Sequence, residues 1–236
     1  MRSDDAPLFN VPAPVVLIAL ALLLVHAFRG FLTQPEDLEL LYRFAFIPAR
    51  YGPDAYFPGG ASAQVWTMVT YAFLHGNATH LVVNIVWLVC FGTALARRFG
   101  ILRLAAVFLL GSIGGAAVHY VAMPKDAALL IGASAGVSAI MAATIRFVFA
   151  PNGPLAAGWK QPEAYHVKAP GMMEVLANRR VFAFILIWFV VNLAFGLQEL
   201  LMAGASNLIA WQSHIGGFLA GFLIFPMLDR KRESVE

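Results

Sequence analysis

Ile131-Gly132-Ala133-Ser134-Ala135-Gly136-Val137-Ser138-Ala139 sets a serine among glycines and alanines where an apolar segment is about to begin. Serine within an apolar helix ordinarily back-bonds to a carbonyl of its own helix. Three features set this one apart. Its neighbours are too small to fill space, so another group must approach the hydroxyl closely. A helix starting at Ser134 leaves its first backbone N–H groups without intrahelical partners. Two further polar clusters, His75 to Asn84 and Gln212-Ser213-His214, interrupt other apolar segments.

Working outward, the 236-residue chain is 60% hydrophobic and only 12% charged. Its mean hydropathy of +0.74 is far from the balance of a soluble domain. The composition predicts a polytopic all-α membrane protein forming one domain over residues 1–236. Six apolar runs, 12–31, 79–97, 101–122, 134–150, 181–202 and 207–228, are long enough or nearly long enough to cross about 30 Å of hydrocarbon. The formal charge of +3 does not point to nucleic acid, because the basic residues are spread along the chain. Arg97, Arg98 and Arg103 follow the second run, Lys160, Lys168, Arg179 and Arg180 follow the fourth, and Arg230, Lys231 and Arg232 follow the sixth. All three places share one side of a six-span protein, and the positive-inside rule makes that side cytoplasmic. Short cytoplasmic tails are expected at 1–11 and 229–236, in a protein of the plasma (inner) membrane. The first run is read as a span rather than a cleaved signal, since Asp4 and Asp5 precede it and no small-residue cleavage site follows. The single cysteine, Cys90, forms no intramolecular disulfide.

Residues 32–78 are expected to form a long extracytoplasmic loop. Leu38, Leu41, Tyr42 and Ala45 recur within it at helical spacing, which predicts an interfacial helix. Pro48 to Gly60 should break any regular element. His80 and Asn84 are four apart and share a helix face, and such a polar pair within a membrane calls for a functional partner. A structural hydrogen-bond pair is the plainer alternative. No metal site is expected, because there is no HExxH motif and no carboxylate accompanies the histidines. His214, Gly217 and Gly221 share one face of the last run. Gly217 with Gly221, and Gly132 with Gly136, form small-xxx-small pairs that would let the fourth and sixth spans pack closely and bring Ser134 to His214. At 1.5 Å per residue, Ser134, His80 and His214 stand about 21–24 Å above the cytoplasmic ends of their spans, at a common level.

A serine beside a histidine at a helix N-terminus has the parts for acyl transfer. The Ser134 backbone N–H, the Asn84 amide and the His80 ring are candidate oxyanion donors. No aspartate lies within a span, which predicts a dyad and disfavours an aspartyl protease. The chain resembles the rhomboids, the six-span intramembrane serine proteases. The resemblance rests on Gly132-Ala133-Ser134, His75-x4-His80-x3-Asn84 and His214-x2-Gly217-x3-Gly221, in that order, most firmly over residues 60–228. It implies cleavage of transmembrane-protein substrates in or near their membrane helices, within the lipid bilayer and without a cofactor. Ser134 is then the nucleophile, His214 the general base and acid, and His80 and Asn84 oxyanion donors. Two positions depart from the family pattern. Ser138 stands where members often carry an aromatic residue stacked on the base histidine, and Trp66-Thr67 stands in place of Trp-Arg. A catalytically inactive relative that binds transmembrane helices is the alternative, although such relatives typically lack the serine or the histidine. Nothing in the sequence specifies an oligomeric state.

Overall fold

The computed structural model describes residues 11–53, 56–201 and 210–229, and the side chains of 195–201 are outside that description. Most of the expected tails, Arg230, Lys231 and Arg232, and the start of the sixth run at 207–209 lie outside the described residues.

The chain enters helix α1 (Ala13–Arg29) through Pro12 and Pro14, which suit the first helical turn because a missing N–H costs nothing there. Arg29 closes α1 and grips Asp37 at 2.6 and 2.9 Å, docking α2 (Gln34–Phe44) beside it. A capping box starts α2: the Thr33 backbone N–H and hydroxyl both donate to Glu36, at 2.8 and 2.6 Å. These two bonds hold the Glu36 carboxyl below its ordinary pKa. No residue of α2 is buried, so it lies on the surface where the sequence places an interfacial helix.

The rest of the 32–78 loop has more structure than its prolines and glycines suggest. A 3-10 turn spans Pro48–Tyr51, and α3 covers Ala63–Thr70. Side-chain bonds fasten α3 to the end of α2: Trp66 Nε1 donates to the Arg43 carbonyl at 3.0 Å, and Thr70 to that of Phe44 at 2.7 Å. The loop then reaches the segment ahead of Ser134. Phe46 and Leu130 exchange backbone hydrogen bonds at 3.2 and 2.9 Å, and the Gly132 N–H donates to the Tyr71 carbonyl at 3.0 Å.

Helix α4 (Ala78–Ala122) is continuous in hydrogen bonding but breaks direction at Gly100, where φ is 75° and ψ is −172°. Only glycine adopts that conformation without strain, so residues 78–99 and 101–122 become two antiparallel-capable segments. Helix α5 (Ser134–Val148) is the centre of the molecule, with every residue from 135 to 147 buried. After it come two short helices, α6 (Pro154–Ala157) and α7 (Met172–Ala177), then α8 (Arg179–Leu201) and α9 (Trp211–Asp229).

Small residues explain why α5 is so tightly enclosed. A Cβ added at Gly111 or Gly115 of α4 would collide with Ala139 or Ala135 of α5, and one at Gly217 or Gly221 of α9 would strike the backbone of Ala135 or Ala139. The outer faces are apolar instead: Leu17 and Leu24 on α1, Val82 and Val86 on α4, Phe182, Ile187 and Val190 on α8, and Leu223 on α9 are exposed. A soluble monomer rarely presents so much contiguous apolar surface. Among the described residues, one helix, Ala78–Ala122, is by itself long and apolar enough to cross a membrane, and α1 and α5 are shorter apolar helices.

Candidate active site

Ser134 is the first residue of α5, and its approach is set by Gly132, whose φ of +126° turns the chain into the helix. His214 lies in the first turn of α9, carried to Ser134 by the close contact of α9 with α5. The two side chains meet at 2.8 Å, His214 Nε2 to Ser134 Oγ. Both are half-buried. On the other side of the ring, His214 Nδ1 lies 2.6 Å from Asn192 Oδ1 of α8. The Asn192 amide is itself held, its Nδ2 donating to the Trp188 carbonyl at 2.7 Å. Trp188 in turn stacks on Phe218, with centroids 4.7 Å apart, which joins α8 to α9 one turn below the histidine.

His80 comes from the first turns of α4, whose start is fixed by the Asn77 side chain accepting from the His80 N–H at 2.8 Å. A Cβ at Gly132 would stand 2.7 Å from the His80 ring and 3.8 Å from Ser134 Oγ, so ring and hydroxyl border one small space. Asn84 is buried on the same helix face, and its Nδ2 donates to the His80 carbonyl at 3.0 Å. A primary amide carries two N–H groups, so one remains for another acceptor. His75, in the turn before α4, is fully buried and packs edge-on against His80 at 5.0 Å. Its Nε2 accepts from the Ala133 N–H at 3.4 Å, which ties the residue before Ser134 to this turn. Burial, aided by the neighbouring His80, pushes the His75 pKa down to about 3. Among the described residues no group of three His, Cys, Asp or Glu side chains is placed to hold a metal ion.

The glycines divide differently from the sequence expectation. Gly217 and Gly221 do face α5. Gly132 is not part of the α5 helix face: it precedes the helix, has positive φ and makes room for the His80 ring. Gly136 meets Phe108 in the second segment of α4, not α9. The spacing was sound as helix periodicity, but α5 begins two residues after Gly132 and is enclosed from two sides, so its small residues serve different neighbours. Asn192 was missed altogether. The available signal was an asparagine amid the apolar stretch Val181–Phe195, of the kind that in a membrane helix calls for a named partner.

The rhomboid domain family matches residues 62–231, most of the chain and all of this constellation. The chain belongs to the rhomboid family. Among the relatives of this rhomboid, RHOMBOID-like protein 6, mitochondrial, of Arabidopsis thaliana is 27% identical over 213 residues, covering 83% of this chain and 59% of the relative. RHOMBOID-like protein 5 of the same plant is 26% identical over 166 residues, 70% of this chain and 45% of the relative. Rhomboid-like protease 3 of Toxoplasma gondii is 33% identical over 98 residues, 40% of this chain and 36% of the relative. The chain thus spans about half the length of the curated relatives it matches. Rhomboids are integral membrane proteins, and the family includes proteases and inactive members.

Proposed function

We propose that this rhomboid is an intramembrane serine endopeptidase that cleaves peptide bonds in or near the transmembrane helices of membrane-protein substrates. The observation that carries the reading is the 2.8 Å approach of His214 Nε2 to Ser134 Oγ at the open end of α5. His214 accepts the Ser134 proton as Oγ attacks the substrate carbonyl carbon. The carbonyl oxygen takes the negative charge beside the His80 ring, the second N–H of Asn84 and the backbone N–H of Ser134. Protonated His214 then donates to the leaving amine, which departs and leaves an acyl group on Ser134. Water, deprotonated by His214, attacks that ester and returns Ser134 with a carboxylic acid product.

In this reading α1, the two segments of α4, α5, α8 and α9 serve as six membrane spans. The basic residues around Arg97, Arg98, Arg179 and Arg180 favour a cytoplasmic location for both termini. The plasma membrane expected from the sequence gains no support from the relatives, of which RHOMBOID-like protein 6 is named as mitochondrial. The test is cleavage of a model single-span substrate by the purified protein in detergent. Ser134→Ala and His214→Ala are each expected to abolish it while retaining the helical content of the parent. Normal cleavage by either variant overturns the reading.

A further inference from the structure

We propose that Asn192 is a positioning residue that fixes His214 in the tautomer able to act as a base, an inference that rests on the protease reading above. Neutral imidazole carries one proton on one of two nitrogens, and only the form with the proton on Nδ1 leaves Nε2 free to accept from Ser134. The neighbouring amide decides which form is present. Asn192 Nδ2 donates to the Trp188 carbonyl at 2.7 Å, which assigns that end of the amide as the NH2 group, because the reverse orientation would set two oxygens against each other. Oδ1 therefore faces His214 Nδ1 at 2.6 Å, and an oxygen at that distance requires N–H on the ring. Nε2 is left as the acceptor 2.8 Å from Ser134 Oγ.

The chain runs from a backbone carbonyl of α8 through a buried amide and an imidazole to a hydroxyl on α5. Every donor in it has one acceptor. Asn192 is 5% exposed, so water does not compete for its oxygen. Ser138 stands where the family pattern often has an aromatic stacking partner. The base is held from α8 rather than from the next turn of α5. Asn192 is linked to Ser134 through the His214 ring, so its role is exerted through His214.

Of the helices around His214, α5 supplies Ser134, α8 supplies Asn192 and α4 supplies His80, the titratable group that acts on His214 among the described residues. Among the described residues no carboxylate takes part, and introducing one gives the test. Parent, Asn192→Leu, Asn192→Asp and Ser134→Ala are compared for kcat and KM on the model substrate from pH 5 to 9, and for the rate of Ser134 labelling by a small fluorophosphonate. For metal-bound histidines, loss of the partner on the far ring nitrogen typically costs roughly 10- to 100-fold, and the same orienting role is taken here. Asn192→Leu should therefore lower kcat and the labelling rate by that factor, with KM within about twofold. Asn192→Asp keeps the acceptor and adds negative charge but gives up the bond to the Trp188 carbonyl, so it should retain more of kcat than Asn192→Leu. The acidic limb of its kcat/KM profile should move up by about one pH unit or more, because a carboxylate favours the imidazolium and base function is lost sooner as pH falls. A purely structural Asn192 would not shift that limb. Parent-like kcat in Asn192→Leu, or an Asn192→Asp profile that keeps the limb of the parent, overturns the inference. Cleavage surviving in Ser134→Ala overturns the protease reading instead.

Discussion

Gly132 answers to two demands at once. Its φ of +126° lies where side-chain-bearing residues are strained, and an added Cβ would stand 2.7 Å from the His80 ring. Gly132→Ala must therefore displace either the ring or the start of α5. A displacement of about 1 Å costs roughly 100-fold in a reaction that depends on position, so cleavage and fluorophosphonate labelling should fall together by about that factor. His80→Ala and Asn84→Ala each remove one expected oxyanion donor and leave others, so each should slow kcat by about 10²- to 10³-fold without abolishing it. Parent-like rates in both single variants and the double variant would remove them from the mechanism. His75 gives a pH-dependent stability. Its folded pKa of about 3 lies below the ordinary 6.5, so between these values the unfolded chain binds a proton that the folded one refuses. Stability is then full above about pH 6.5 and declines as pH falls toward 3. Melting in detergent should show a smaller drop from pH 7 to pH 4 for His75→Gln than for the parent.

In its first turns, around Ala135 and Ala139, helix α5 presents almost no side-chain bulk to α4 and α9. Gly111 and Gly115 on one flank, and Gly217 and Gly221 on the other, let both neighbours close on Ala135 and Ala139. Such contacts replace the hydrophobic driving force that lipid does not supply between helices. A branched side chain at Gly221 would strike the Ala139 carbonyl and lever α9, with His214, away from Ser134. Gly221→Val is expected to insert and retain helical content while losing most proteolysis and most Ser134 labelling. A variant that labels at the parent rate would show that α9 carries His214 without this contact. The helix periodicity of His214, Gly217 and Gly221 was legible in the sequence. That Gly136 turns to Phe108 was not, because one sequence face of a central helix does not say which of two flanking helices it meets.

At the end of the molecule away from the site, Arg98 at the break of α4 binds both carboxylate oxygens of Asp229 at 2.8 Å and donates to the carbonyls of Tyr165 and Val167. One guanidinium thus joins α4, the segment after α6 and the end of α9. Its side chain is 2% exposed and that of Asp229 19%. Breaking a buried pair typically costs about 3–5 kcal/mol, and the partial exposure of Asp229 puts the expectation near the low end. Asp229→Asn should lower the melting temperature in detergent while leaving the low-temperature labelling rate of Ser134 unchanged, since His214 is about 22 Å away along α9. The sequence by itself determined the helical membrane class and singled out the serine, the histidine and the polar pair of α4 as candidates, because apolar run length, small-residue spacing and isolated polar groups are properties of the chain read locally. Only the tertiary structure decided that Gly132 serves His80, that the 32–78 loop folds into α3 and pairs with Leu130, and that Asn192 faces His214. Each of those depends on which distant segments of the chain meet. A lone asparagine in an apolar helix announces that it has a partner but carries no information about which one.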